Sequence, residues 1–229
     1  RWNVLVCHRR FGKTVCMINH LIRSALLSKN KNPRYAYIAP TFKQAKSIAW
    51  DYMKQFTAKI PYTKFNETEL RVDLPNGSRI TLLGSENSDG LRGIYLDGCV
   101  IDEYANVNER LFPEIIRPAL SDRKGYCVFI GTPQGMNNNF YELYQHAQGA
   151  DDWFNYKAKA SDTKIVDDEE LVKAKEVMGD KKYLQEFECD WIANIEGAVY
   201  SDVLAKMEDK KQLTRVPYDP SLPVSTAWD

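Results

Sequence analysis

Apolar runs of strand length recur at residues 4–7, 35–39, 99–101 and 127–130, and the stretches between them carry helical periodicity. That alternation predicts an α/β fold: a mainly parallel sheet with helices on its faces. After the first run, Val15, Ile18, Ile22, Ala25 and Leu26 fall on one side of a helix. A second helix is predicted over residues 43–58. Residues 70–83 read LRVDLPNGSRITLL, in which Leu70, Val72 and Leu74 alternate with polar residues, Pro75-Asn76-Gly77-Ser78 makes a turn, and Ile80 and Leu82 resume the alternation. This is a hairpin signal, so the parallel core is expected to carry an antiparallel excursion.

Past residue 150 the pattern changes to a Trp- and Tyr-bearing strand at 153–158 and acidic, Lys-rich helices between 167 and 188, which suggests a small subdomain over 151–205. A segment with Pro217, Pro220 and Pro223 then reads as a linker over 206–223, and the apolar run at 224–228 as a strand start cut off at Asp229. With 229 residues and 44% apolar content the chain can bury a full-sized core. No apolar run approaches a membrane span and the start at Arg1 shows neither a signal peptide nor an initiating Met, so the expectation is a soluble fragment with no membrane partner.

Charge and cysteine content narrow the chemistry. Thirty-one basic and 31 acidic side chains cancel, so any contact with a polyanion must be local. Basic residues cluster at Arg9-Arg10-Lys13, Lys29-Lys31-Arg34 and Lys43-Lys46. The five cysteines are scattered in mostly apolar stretches, which suits buried thiols better than disulfides or a zinc site.

The segment CHRRFGKTVCMINHLI, residues 7–22, has the form of a phosphate-binding loop running into a helix, with Cys7 where the first glycine of such a loop belongs. A phosphate loop needs inward backbone N–H groups, a lysine for the β and γ phosphates and a hydroxyl for Mg²⁺, at a helix N-terminus. Phe11-Gly12-Lys13-Thr14 supplies the last part of that set. Cys99-Val100-Ile101-Asp102-Glu103 is an apolar strand ending in two carboxylates, of which the first can hold Mg²⁺ and the second can orient and deprotonate a water. A strand ending in a polar loop would look the same; the pairing with the loop some ninety residues upstream, expected on a neighbouring parallel strand, favours chemistry. Phe129-Ile130-Gly131-Thr132-Pro133-Gln134-Gly135 ends a third strand, and in a parallel sheet Thr132 would lie near the γ-phosphate. Alone, it could equally be a Gly/Pro turn.

Arg9-Arg10-Phe11-Gly12-Lys13-Thr14, Leu91-Arg92-Gly93, Val100-Ile101-Asp102-Glu103, Gly131-Thr132-Pro133 and Gln185-Glu186-Phe187-Glu188-Cys189-Asp190 together resemble the large terminase subunit of tailed bacteriophages, over almost the whole chain and in the family's order. The resemblance implies a P-loop NTPase of the ASCE type over residues 1–150, a lid subdomain over 151–205, a linker over 206–223 and, at 224–229, the truncated start of an RNase H-like nuclease. It implies ATP and Mg²⁺ as cofactors. Arg10, Phe11, Gly12, Lys13, Thr14 and Thr132 would meet the nucleotide, Thr14 and Asp102 the metal, and Glu103 would be the catalytic carboxylate. Arg9 matches a loop arginine acting in cis, and Arg92 an arginine reaching into a neighbouring subunit; an L-R-G surface turn is the plain alternative for the latter. The implied partners are double-stranded DNA, the portal protein, the small terminase subunit and further copies of the chain in a ring, a pentamer on the procapsid, in the host cytoplasm.

Residues 39–45 also resemble a helicase motif, although a Thr41-capped helix start explains them. A helicase would need two such cores, a switch GTPase would need an N-K-x-D segment that the sequence lacks, and a fragment that binds nucleotide without turnover stays open. Asp229 resembles the first metal-binding aspartate of the nuclease, which needs several carboxylates. The chain is therefore expected not to cleave DNA; metal-dependent cleavage by the purified chain would refute this.

Overall fold

The computed structural model describes residues 1–192 and the isolated positions 207, 210 and 212. The chain divides into two compact units, Arg1–Asn194 and Ile195–Asp229, and all the strands and helices named below lie in the first. The expected strand start at 224–229 lies outside the described residues, as does the expected linker apart from those three positions.

Eight strands form one sheet: β1 (Trp2–Cys7), β2 (Arg34–Ala39), β3 (Lys64–Asn66), β4 (Arg71–Asp73), β5 (Arg79–Gly84), β6 (Gly98–Ile101), β7 (Tyr126–Gly131) and β8 (Trp153–Ala158). Their order is β3-β4-β5-β2-β6-β7-β1-β8. From β5 to β8 every pairing is parallel, while β3-β4 and β4-β5 are antiparallel. The four sequence-predicted strands are β1, β2, β6 and β7. The hairpin is β4-β5, but its second arm belongs to the parallel sheet, so only β3 and β4 extend beyond it.

The strand at 153–158, expected beyond a boundary at residue 150, belongs to the main sheet. It pairs in parallel with β1 from Trp2↔Trp153 to Cys7↔Ala158 and is the edge strand of the main sheet. Its alternating exposed residues, Phe154 and Tyr156, mark a sheet edge with one open face.

Helix α1 (Lys13–Leu27) buries Met17, Ile18, Leu21, Ile22 and Ala25. The buried stripe sits slightly off the expected one: Leu26 is 39% exposed and Val15 faces a cavity. The second expected helix runs as α2 (Phe42–Ala45), a π-helical stretch (Lys46–Trp50) and α3 (Asp51–Thr57). Thr41 caps it by accepting from Gln44 N at 3.1 Å, while Gln44 Oε1 accepts from Thr41 N at 3.1 Å, a reciprocal box that satisfies two orphan donors. A second π-helical stretch (Leu111–Ile116) leads into α4 (Arg117–Ser121). Asn138 caps α5 (Asn139–Gly149) through Phe140 N and Tyr141 N at 3.0 and 3.1 Å.

Because side chains alternate across each strand, the sheet feeds two cores. On one face Val4, Val6, Ile38, Ile101 and Phe129 pack with the 111–120 segment and α5. On the other, Tyr37, Val100, Val128 and Ile130 pack with α1 and the 42–57 helix. Helices α6 (Ala160–Thr163) and α7 (Asp168–Phe187, bent at Gly179, φ 78°) share a small cluster of Ala160, Leu171 and Phe187.

Gly98 opens β6 where a Cβ would lie 2.3 Å from the Tyr126 ring. Gly98→Ala should destabilise by about 1–3 kcal/mol through overpacking, whereas Gly149→Ala, with nothing within 4 Å, should be near neutral. Urea denaturation checks both, and equal midpoints would contradict the packing described.

Candidate active site

Strands β6 and β1 are not the neighbours the sequence suggested, because β7 pairs between them, but all three end at the same edge of the sheet. Their C-terminal loops therefore converge, and the residues just past them line one cavity of about 650 Å³. In open parallel sheets this edge is where ligands bind.

The loop after β1 explains how a phosphate loop can begin with cysteine. Cys7 is the last residue of β1, in register with Ala158 and 1% exposed, so it needs no special backbone freedom. The turn uses Arg10 (φ 68°) and Gly12 (φ 88°) instead. Gly12 is the N-cap of α1, and no side chain caps the helix, so the first-turn N–H groups remain available to an anion. A Cβ at Gly12 would meet nothing within 4 Å, so its backbone angle rather than crowding calls for glycine.

Three anchors fix this loop. His8 N donates to Ala158 O at 3.0 Å and Arg9 N to Glu186 O at 2.7 Å. The His8 ring is fully buried, with Nδ1 2.7 Å from Arg9 O and Nε2 2.8 Å from Thr163 Oγ1. Burial lowers its pKa, so the neutral ring donates from Nδ1–H to the carbonyl and accepts from the threonine at Nε2. Phe11 packs edge-on against His8, with ring centroids 5.3 Å apart, and does not line the cavity.

Lys13 Nζ donates to Cys7 O at 3.3 Å, His8 O at 3.2 Å and Thr132 Oγ1 at 3.2 Å. Its ammonium thus bridges the ends of β1 and β7. Thr132 is buried and also donates to Cys7 O at 3.3 Å.

Past β6, Asp102 is 3% exposed. Its Oδ1 accepts from Glu103 N at 2.9 Å and its Oδ2 from the Tyr37 hydroxyl. Burial raises its pKa, against the hydrogen bonds from Tyr37 and Glu103 N and the nearby Lys13 and Thr14. Glu103 holds a left-handed φ of 46°, an uncommon conformation costing about 1–3 kcal/mol for such a residue. Burial, reinforced by the Asp102 charge, pushes its carboxyl up to about 7.

The cavity thus gathers Arg9, Arg10, Gly12, Lys13, Thr14, Asp102, Glu103 and Thr132 from the expected set. Arg92 is elsewhere: it follows the 3₁₀ turn Ser88–Leu91, lies 3.5 Å from Glu114, and does not line this cavity. The sequence by itself singled out none of Tyr37, Ile48 and Tyr52, and Gln134 and the 185–190 run, in which α7 makes its C-terminal turn, stood among its motifs without a place in the site. Glu186 lines the cavity and lies 3.6 Å from Arg9, and the buried Gln185 Nε2 donates to Pro133 O at 2.6 Å. The run Gln185-Glu186-Phe187-Glu188 was the available signal for that turn, since α7 otherwise exposes charge along its length.

The chain's own candidates for a cation are Thr14 and Asp102, and among the described residues no group of three or more His, Cys, Asp or Glu could hold a metal. One carboxylate and one hydroxyl fit Mg²⁺, which keeps several waters and takes its other ligands from phosphate.

The pKa of Glu103 sets a pH effect on stability. Between its ordinary 4.5 and about 7 the folded chain keeps a proton that the unfolded chain has released. Stability should fall as pH rises through that window, by up to about 3 kcal/mol, and flatten above it. Chemical denaturation of metal-free protein from pH 4.5 to 8 should show this slope reduced in Glu103→Gln; an unchanged slope would contradict the burial assigned to Glu103.

Residues 6–202 match the family "Terminase large subunit, T4likevirus-type, N-terminal". The terminase large subunit of Thermus phage G20c is 29% identical over 126 residues, covering 47% of this chain and 26% of that protein. The match thus spans about a quarter of that relative's length. The large terminase ATPase domain of Thermus phage P74-26 superposes with a TM-score of 0.69 at 22% identity, covering 83% of this chain and 88% of that one. The large terminase of another thermophilic bacteriophage, solved in complex with ADP, gives 0.72 at 17% identity, covering 82% and 48%. The fold is that of the terminase ATPase domain, and the chain belongs to the terminase large-subunit family.

Proposed function

We propose that this chain is the ATP-hydrolysing motor domain of a viral DNA-packaging terminase. The observation that carries the reading is a single cavity in which an uncapped helix N-terminus and Lys13 meet the buried Asp102 and the partly buried Glu103, the latter held near pKa 7.

The residues divide the work. The N–H groups at the start of α1 and the Lys13 ammonium receive the β and γ phosphates. Lys13 now rests on two carbonyls and Thr132, weak partners that phosphate oxygens would outcompete by charge. Thr14 and Asp102 would hold Mg²⁺, which supplies neutralisation of the phosphate charge when bound. Glu103 accepts the proton of the attacking water, and a base with a pKa near the working pH is suited to that task. Thr132 and Gln134 line the same cavity and lie next to Pro133, whose carbonyl is tied to Gln185 of α7; a change at the phosphates therefore has a short route to that helix. Arg9 lines the cavity beside Glu186 and is the candidate for stabilising the transition state in cis, a role worth about 10³ to 10⁵ in rate. Arg92 could serve only the site of another copy, in a head-to-tail ring.

In this reading double-stranded DNA is the moved substrate, and the portal protein, the small terminase subunit and copies of the chain, a pentamer on the procapsid, are the partners, in the host cytoplasm. Backbone-directed gripping of DNA weakens steeply with salt.

Steady-state Mg²⁺-ATP hydrolysis as a function of protein concentration tests the proposal. Constant specific activity is expected if Arg9 works in cis, and Arg9→Ala should then remove most of it; activity climbing with concentration would transfer that role to Arg92. Glu103→Gln should lower kcat by about 10² to 10⁴ with ATP affinity retained. ATP bound without turnover at any concentration would sink the motor reading and leave a nucleotide-binding fragment.

A further inference from the structure

We propose that Tyr37 is a positioning residue for the metal-binding carboxylate, holding Asp102 in the orientation that a divalent cation requires. The inference rests on the reading of Asp102 as the metal carboxylate. Tyr37 lies in β2, two strands from the phosphate loop's neighbour β7, and is fully buried. Parallel pairing sets it opposite Val100, and Asp102 follows two residues later on the same face. The long phenol spans that offset and brings its hydroxyl to Asp102 Oδ2.

The carboxylate is thereby fixed at both oxygens by neutral donors, Tyr37 on Oδ2 and the Glu103 N–H on Oδ1 at 2.9 Å. Two bonds to separate oxygens stop rotation about the terminal torsion. Even with the Thr14 hydroxyl also acting on the carboxylate, its two oxygens offer about four lone-pair positions, so acceptor capacity remains for a cation. Neither donor is charged, so neither neutralises the carboxylate that a metal would bind. The buried hydroxyl, costly without a partner, finds that partner at Asp102. Tyr35, two residues earlier on the same face, provides the contrast: its hydroxyl donates to Ser24 O at 3.1 Å in α1, away from the carboxylates. The same strand thus carries one tyrosine hydroxyl directed to packing and one directed to the site.

Outer partners that orient a metal ligand typically affect metal affinity by about 10- to 100-fold. The test is Mn²⁺ binding in the presence of ADP, followed by electron paramagnetic resonance, with ADP binding in EDTA measured alongside. Tyr37→Phe keeps the ring that fills the core and should weaken Mn²⁺ by about tenfold, leave ADP binding in EDTA unchanged, and raise the Mg²⁺ concentration for half-maximal turnover by a similar factor. Tyr35→Phe should change neither affinity. Asp102→Asn should lose Mn²⁺ affinity, and adding Tyr37→Phe to it should cost nothing more. If Asp102→Asn binds Mn²⁺ normally, the metal reading of Asp102 fails. If Asp102→Asn loses Mn²⁺ while Tyr37→Phe matches the unmutated protein, the role of Tyr37 fails alone. Loss of ADP binding in EDTA by Tyr37→Phe would assign the hydroxyl to the fold and equally overturn the proposal.

Discussion

The insertion of β7 between β1 and β6 is the constraint on which the site depends. It pairs with both in parallel, through Val4↔Phe129 on one side and Ile101↔Phe129 on the other. Parallel pairing makes all three strands end at one edge, so the phosphate loop, Thr132 and the Asp102-Glu103 pair emerge side by side around one cavity. Phe129, fully buried at the centre of this trio, packs edge-on with Tyr104 and Phe112 and stacks on Trp153. An aromatic core thus packs beneath the strand pairing that sets the register of the three strand ends.

Burial then turns ordinary side chains into poised ones. Asp102 and Glu103 sit where water is scarce, and desolvation is the first cause of the raised pKa of each. Lys13 opposes both shifts and Arg9 opposes that of Glu103, yet burial prevails and Glu103 keeps its proton to about pH 7. Neutral donors finish the arrangement: the Tyr37 hydroxyl and a backbone N–H set the direction of Asp102 without cancelling its charge.

The last turn of α7 binds this centre from outside the strand trio. Glu186 O accepts from Arg9 N in the phosphate loop, and Gln185 donates to Pro133 O after β7. A single helical turn therefore holds two of the three loops. Cys189, at φ 54°, follows directly and places its thiol 3.2 Å from Ala158 O, tying the end of α7 to the edge strand. Helix and sheet are joined through hydrogen bonds at the loops rather than through a broad apolar face, since the cluster shared by α6 and α7 is small.

The sequence by itself determined the local units: four core strands, the amphipathic α1, the Thr41-capped helix, the 70–83 hairpin, and the loop and carboxylate pair. Each is written in short-range patterns, in alternation, periodicity and turn residues, that physical chemistry reads without tertiary contacts. Tertiary structure decided what neighbours what. Strand order is absent from local pattern, so neither the place of β7 nor the membership of β8 in the main sheet could be read from the chain. Tyr37 looked like one more apolar strand residue until the β2-β6 register put its hydroxyl on Asp102, and the 185–190 run had no place in the site until α7 brought Glu186 beside Arg9. Even Cys7, which stood out as a missing glycine, became ordinary once its pairing with Ala158 made it a strand residue. Residue types carry the chemistry, but proximity and burial, which set its strength, arise only when distant segments pack together.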